Sequence, residues 1–290
     1  QTFAEKMGIA VMVPEKAKDE EFLTMLEEMK PDLCITAAYG QWLPKRFLAI
    51  PRKGTLNIHP SLLPLFRGAA PVQRCLERGD SVTGVSVAQT VLKMDAGPIV
   101  RQITHPLDGN EKADDLLMEL FVKGTNELLD VLPSYFDEEN PAEMQGQDDE
   151  AACPADKISV DDARIDFSES SNSAATIHNK CRGYAIWPGI WSNFQVGDSE
   201  EVQRIKIITT RVLGEAGSSA PTDEVQVVKY QHIDSNGNKV GKQKDILSVV
   251  CGDGSLLGVL ELQPPGKKVM DAKSFVNGLR GQGLRWRPLE

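Results

Sequence analysis

Signatures for membrane crossing, metal binding and nucleotide cofactors are all missing from these 290 residues. No uninterrupted apolar run approaches the roughly 18 residues needed to cross a bilayer, which argues against membrane insertion. The five cysteines (Cys34, Cys75, Cys153, Cys181 and Cys251) are scattered, odd in number and without a Cys-x-x-Cys pair. That spacing predicts neither a metal site nor a disulfide framework, and it suits a reducing compartment. Neither Gly-x-Gly-x-x-Gly nor a Walker loop occurs, so no nucleotide cofactor is expected. Ser61 lacks the Gly-x-Ser-x-Gly setting of a nucleophile elbow, which argues against a serine hydrolase. Positive charge is also short: 32 Lys and Arg against 42 Asp and Glu give a net charge of −10 and a pI near 5.1. That balance argues against a wholly basic nucleic-acid surface, although it does not exclude a local basic patch. The sequence starts at Gln1 without a charged-then-apolar leader. A fragment or processed form is expected, with any localisation signal outside it.

What remains is an ordinary globular composition, 41% apolar and 26% charged, long enough for two domains. Gly8–Val13 reads as a strand ended by Pro14. Asp19–Lys30 places Phe22, Met25, Leu26 and Met29 at helical spacing and is closed by Pro31. Leu33–Ala38 is a continuous small and apolar run, suited to a strand buried on both faces. Thr55–His59 is a further strand. A helix is expected from Ala69–Pro71, burying Val72, Cys75 and Leu76. Val82–Gln89 and Ile99–His105 read as strands, and Lys112–Leu132 is the longest helical pattern. The alternation predicts an α/β layer with a largely parallel sheet. From Asp137 to Glu150 the chain is acidic and polar, as in a linker. Beyond a helix at Ser173–Lys180, short runs at Val202–Thr209, Glu224–Tyr230, Ile246–Cys251 and Leu256–Leu262 are separated by turn signals, including Ser235-Asn236-Gly237-Asn238. They predict a small β-barrel or sandwich.

Within Thr55–His59, period-two alternation sends Leu56 and Ile58 to one face and Asn57 with His59 to the other. An amide beside an imidazole is what a developing oxyanion requires, although a hydrogen-bonded polar pair at a strand end has the same spacing. Asp95, in Met-Asp-Ala-Gly-Pro, is either the carboxylate partner that fixes the His59 imidazole or an Asx-type turn residue. His105, His178 and a loop-borne His232 are expected to be surface or structural. Lys267 and Lys268, after Pro264-Pro265-Gly266, either meet phosphates or are simply solvated.

Asn57-Ile-His59-Pro-Ser61-Leu-Leu-Pro64, Arg67-Gly-Ala-Ala-Pro71 and Asp95 with Gly97 closely resemble the folate-dependent formyltransferases. Ala163-Arg-Ile-Asp-Phe-Ser168, Trp187-Pro-Gly189 and Leu262-Gln-Pro-Pro-Gly-Lys-Lys268 resemble the branch acting on methionyl initiator tRNA. The likeness runs over almost the whole chain, with the motifs in order. It implies a Rossmann-like formyltransferase domain, N-terminally truncated, at residues 1–138, a linker at 139–156, and an OB-like barrel at 157–290. It implies 10-formyltetrahydrofolate as donor, the α-amine of methionyl initiator tRNA as acceptor, no metal, and a monomer. Carried onto matching positions, Asn57, His59 and Asp95 are the catalytic trio. Ser61, Leu62, Leu63 and Pro64, with Gly40, Gln41, Trp42 and Leu43, are the folate-contacting segments; Arg67, Lys267 and Lys268 are the tRNA contacts.

Two departures stand out. Leu65 and Phe66 occupy positions that in the family usually hold a basic and an aromatic residue. The first strand, helix and basic loop of the family are absent, which is expected to weaken folding and tRNA binding. The size of the insertion at Val228–Lys244, with Lys229, Lys239, Lys242 and Lys244, points to a mitochondrial or plastid protein, with the bacterial cytoplasm as the alternative. Competing functions are the hydrolase-like domain of formyltetrahydrofolate dehydrogenase, glycinamide ribonucleotide formyltransferase, and a non-catalytic RNA-binding module.

Overall fold

The computed structural model describes residues 2–216, 222–233 and 238–288. The chain divides into two compact units, one of residues 1–71, 82–106 and 117–156, the other of 72–81, 107–116 and 157–290. Its elements run α1 (Thr2–Lys6), α2 (Glu20–Met29), β1 (Cys34–Ala37), α3 (Lys45–Ala49), β2 (Thr55–His59), α4 (Pro71–Arg78), β3 (Val82–Gln89), β4 (Ile99–Pro106) and α5 (Ala113–Phe136). There follow a 3₁₀ turn at Asp161–Ala163, α6 (Ala174–Gly183), β5 (Trp191–Val196), β6 (Val202–Glu215), β7 (Gln226–Ile233), β8 (Lys239–Val250), β9 (Ser255–Gln263), β10 (Met270–Asp271), α7 (Ala272–Gly278) and β11 (Leu284–Arg287).

The first unit carries a four-stranded sheet in the order β1-β2-β3-β4. Leu56 and Ile58 of β2 pack with Val85, Val87, Val100, Leu128 and Val131 into its core. Gly124 lets α5 lie close on that sheet, since a Cβ there would stand 2.5 Å from Ile58 and 2.6 Å from Val85. The sheet is α/β but not largely parallel: only β1 and β2 run parallel, while β2–β3 and β3–β4 are antiparallel. Residues 90–98 join β3 to β4 and are too few for the crossover of a dozen or more residues that a parallel pair needs.

Two other expectations fail in this unit, and the helix expected at Asp19–Lys30 forms as α2 with a different buried face. Gly8–Val13 belongs to neither sheet, and Ile9 and Val13 are 60% and 74% exposed. An apolar run becomes a strand only when its backbone pairs with a neighbouring one, and this run pairs with none of the described strands. β1 lies at the sheet edge and is not buried on both faces; Ile35 is 49% exposed. In α2 the buried face is Leu23 and Leu26 with Phe22 beside Phe47, while Met25 and Met29 point to solvent.

In the second unit seven strands form one sheet, β11-β5-β6-β9-β8-β7, with β10 on β9. The residues leading into β7 bond back to β11, through Val225 N to Leu284 O at 2.9 Å and Trp286 N to Asp223 O at 2.9 Å. The sheet therefore nearly closes into a barrel. Phe167 stands against both Phe194 and Trp286 in its core. His232 lies in β7 rather than a loop, because the hairpin strands extend beyond their apolar runs. The expected turn at Ser235-Asn236-Gly237 lies outside the described residues.

His178 shows how this unit buries a titratable ring. Nε2 donates to Gly109 O at 3.0 Å, and Nδ1 accepts from the Thr210 hydroxyl at 2.8 Å, which fixes the neutral tautomer. Burial, aided by the Arg182 and Arg211 charges, pushes its pKa down from 6.5 to about 4. Between these values the unfolded chain takes up a proton that the folded chain refuses. The stability contributed is complete above about pH 6.5 and lost as pH falls toward 4, on the order of 3 kcal/mol. Denaturant unfolding of His178→Gln is expected to show a shallower pH dependence across this window. A slope equal to that of the parent chain would refute the assignment.

Candidate active site

β2 and β3 position the polar face of the first sheet. Asn57 and His59 lie on the face of β2 opposite Leu56 and Ile58, as alternation requires. In register, Thr36 on β1 stands beside Asn57, Ser86 on β3 stands beside His59, and Gln102 on β4 stands beside Ser86. The Thr36 hydroxyl donates to Asn57 Oδ1 at 2.9 Å. That bond orients the amide, so the Asn57 NH₂ remains as the donor.

After His59 the chain folds back over this face. Ser86 Oγ donates to Ser61 O at 2.7 Å and accepts from Leu63 N at 3.1 Å; Gln102 Nε2 donates to Leu63 O at 3.0 Å. The loop is thus fixed by side chains from two strands. Ser61 and Leu63 are themselves buried, with Ser61 Oγ donating to Leu65 O and Leu63 packed on Ala88 and Ile99. Leu62 and Pro64 are half-buried, so they and the loop backbone are what it presents. The Gly40–Leu43 segment follows β1, and Trp42 is 60% exposed. Since β1 and β2 are parallel, both segments leave the carboxyl edge of the sheet, the usual ligand edge of α/β sheets.

His59 is buried, with 4% of its surface exposed. Its Nε2 lies 2.9 Å from Phe66 O, and a carbonyl only accepts, so Nε2 carries a proton. Nδ1 faces Asp95 Oδ2 at 3.8 Å, beyond hydrogen-bond length. Asp95 stands at φ 50°, and Gly68 N donates to its Oδ2 at 2.8 Å. Asn57 and His59 therefore share one sheet face, and Asp95 faces His59 from the connection between β3 and β4.

The acidic segment after α5 is held against this same unit. Gln145 and Ile99 exchange two backbone hydrogen bonds of 2.8 Å, and Arg67 and Ala155 are joined through Ala155 N at 2.7 Å. Gln147 and Asp149 both accept from the Arg67 guanidinium, whose side chain is only 10% exposed. Lys267 and Lys268 lie in the second unit, exposed in the turn between β9 and β10. Thr36, Ser86, Gln102 and Gln147 had no place in the sequence reading. The small residues Gly84, Ser86 and Ala88, alternating with Val85 and Val87, were the available signal that a loop covers that face closely.

Among the described residues, no group of His, Cys, Asp and Glu is suited to hold a metal ion. No helix among them is long and apolar enough to cross a membrane.

Residues 1–132 match the family described as Formyl transferase, and residues 157–280 match Formyl transferase, C-terminal domain. The chain is 34% identical to methionyl-tRNA formyltransferase of Macrococcus caseolyticus over 282 residues, spanning 97% of this chain and 82% of that protein. It is 32% identical to methionyl-tRNA formyltransferase of Lysinibacillus sphaericus over 273 residues, 94% of this chain and 79% of that one. Among solved structures, HypX from Aquifex aeolicus in complex with tetrahydrofolic acid superposes with a TM-score of 0.58 at 16% identity, covering 90% of this chain and 41% of that one. That likeness concerns the fold alone.

Proposed function

The chain belongs to the methionyl-tRNA formyltransferase family, and we propose that Asn57, His59 and Asp95 are its formyl-transfer centre. Its activity is the transfer of a formyl group from 10-formyltetrahydrofolate to the α-amine of methionyl initiator tRNA, for translation initiation. The observation that carries the site assignment is the juxtaposition of an oriented amide, a buried imidazole and a carboxylate on one sheet face.

In this reading the methionyl amine attacks the formyl carbon, a C–N bond forms, and the carbonyl oxygen becomes an oxyanion. The Asn57 NH₂ donates to that oxygen. His59 Nδ1, the ring nitrogen not committed to Phe66 O, takes the amine proton; Asp95 stabilises the resulting imidazolium. Collapse of the intermediate breaks the bond to the folate nitrogen, which leaves with the proton.

Ser61–Pro64 and Gly40–Leu43 are assigned to the folate. Ser61 and Leu63 act from within the loop, while Leu62, Pro64, Trp42 and backbone groups face the donor. Lys267 and Lys268, with the exposed Lys239, Lys242 and Lys244 of the β7–β8 hairpin, are assigned to tRNA phosphates. Arg67, which pairs with Asp149 and donates to Gln147, is reassigned from tRNA to holding this segment. We place the catalytic domain at 1–138, the linker at 139–156 and an OB-like tRNA-binding domain at 157–290. The exposed edge of β1 is read as the position where a further strand of the fold pairs. The working form is taken as a monomer. The relatives named are bacterial, which supports a bacterial cytoplasm over an organelle.

Purified chain, charged initiator tRNA and labelled formyl donor test the assignment. Label is expected in formylmethionyl-tRNA. Label released as free formate, independent of tRNA, would overturn transfer in favour of hydrolysis.

A further inference from the structure

Gln147 sits in the acidic segment that composition marks as a linker, yet every hydrogen-bonding position of its carboxamide is committed. Nε2 donates to Asp95 O at 2.8 Å and to Gly97 O at 2.6 Å. Oε1 accepts from Arg67 Nε at 3.0 Å and Nη2 at 2.8 Å. Two donors and two acceptor positions are the full capacity of an amide. The loop it grips needs gripping, because Asp95 is at φ 50°, a region that residues with a side chain adopt uncommonly. A second restraint on Asp95 comes from the adjoining chain: Gly68 N, next to Arg67, donates to its Oδ2. Gln147 thus closes a ring of contacts, Arg67–Gln147–Asp95–Gly68, whose carboxylate faces His59.

We propose that Gln147 is a positioning residue for formyl transfer, setting the Asp95 carboxylate against His59 by holding both carbonyls that flank Ala96. The inference rests on the reading of Asp95 as a member of the transfer centre. Gln147 touches neither His59 nor the reacting atoms, so its effect passes through Asp95. The segment carrying it is therefore part of the working site as well as a connection.

The test uses Gln147→Glu in the full chain. Glutamate keeps the size and the acceptors for Arg67 but removes both donors to the Asp95 loop. Expected is a fall in kcat of about 10²-fold, the usual consequence of misplacing a catalytic group by about 1 Å. The KM values for folate and tRNA are expected to stay within about threefold, since ground-state binding is untouched. Adding Gln147→Glu to Asp95→Asn is expected to slow the single variant by less than about twofold, because the two act through one group. Gln147→Met, which carries no new charge, is expected to behave as Gln147→Glu does. Wild-type kcat in Gln147→Glu overturns the proposal; so does a loss confined to KM, or a full multiplicative loss in the double variant. If both Gln147 variants melt below assay temperature, the residue belongs to stability and the proposal falls. A wild-type rate in Asp95→Asn would instead overturn the underlying reading of Asp95.

Discussion

His59→Ala is expected to slow single-turnover formyl transfer by about 10²–10³-fold, with Asn57→Ala losing a similar factor. The size follows from what each side chain leaves behind. The His59 ring is buried, so its removal opens an enclosed space, takes one donor from Phe66 O and removes the ring that Asp95 faces. Asn57 loses less structure, because Thr36 merely forfeits an acceptor, but the oxyanion loses its donor. One such donor is worth about 3–4 kcal/mol in the transition state. Single-turnover rates isolate the chemical step from tRNA release. The double variant is expected to lose much less than the product of the two factors, since the groups act on one intermediate. A near-wild-type rate in either single variant would remove that residue from the mechanism.

The legible part of this site was the part written at period two. Leu56 and Ile58 against Asn57 and His59 give both a core face and a polar face within five residues, and the structure keeps that division. The burial of Val72, Cys75 and Leu76 in α4 was legible for a similar reason, from helical spacing. Thr36, Ser86, Gln102 and Gln147 were not legible. Apart from the small-residue alternation around Ser86, none stands out in its own segment, and each acquires a role only when register or chain return brings it to Asn57, the Ser61–Pro64 loop or Asp95. The same limit explains strand direction and burial. Leu33–Ala38 is apolar enough for an interior strand, but only pairing determines that β1 is an edge. β5 went unseen because a polar Ser192 shares its buried face with Phe194, blurring the alternation of Trp191–Val196.

Gly97→Ala is expected to injure stability and catalysis together. At this position the demand is for space: a Cβ would lie 1.7 Å from Gln89 O, 2.8 Å from Gln89 C and 3.3 Å from Val91 Cγ1. The nearest obstacle is main chain, and it has little room to yield. Gln89 N is bonded to Pro98 O at 2.9 Å, so moving the oxygen strains the start of the β3–β4 connection on both sides. Overpacking of this kind costs typically about 1–3 kcal/mol, with the backbone contact here placing the variant at or above the upper end. Asp95 lies two residues upstream, and Gln147 holds both Asp95 O and Gly97 O, so the strain is delivered to the carboxylate facing His59. A displacement of about 1 Å there is expected to reduce kcat by about 10²-fold in the molecules that remain folded. Gly146→Ala is the matched control: nothing lies within 4 Å of its Cβ position, and its change in stability is expected to stay within about 0.5 kcal/mol. Denaturant midpoints and single-turnover rates measured on the two variants separate the effects. A Gly97→Ala chain with parental midpoint and rate would show that the close approach to Gln89 does not hold the Asp95 loop in place.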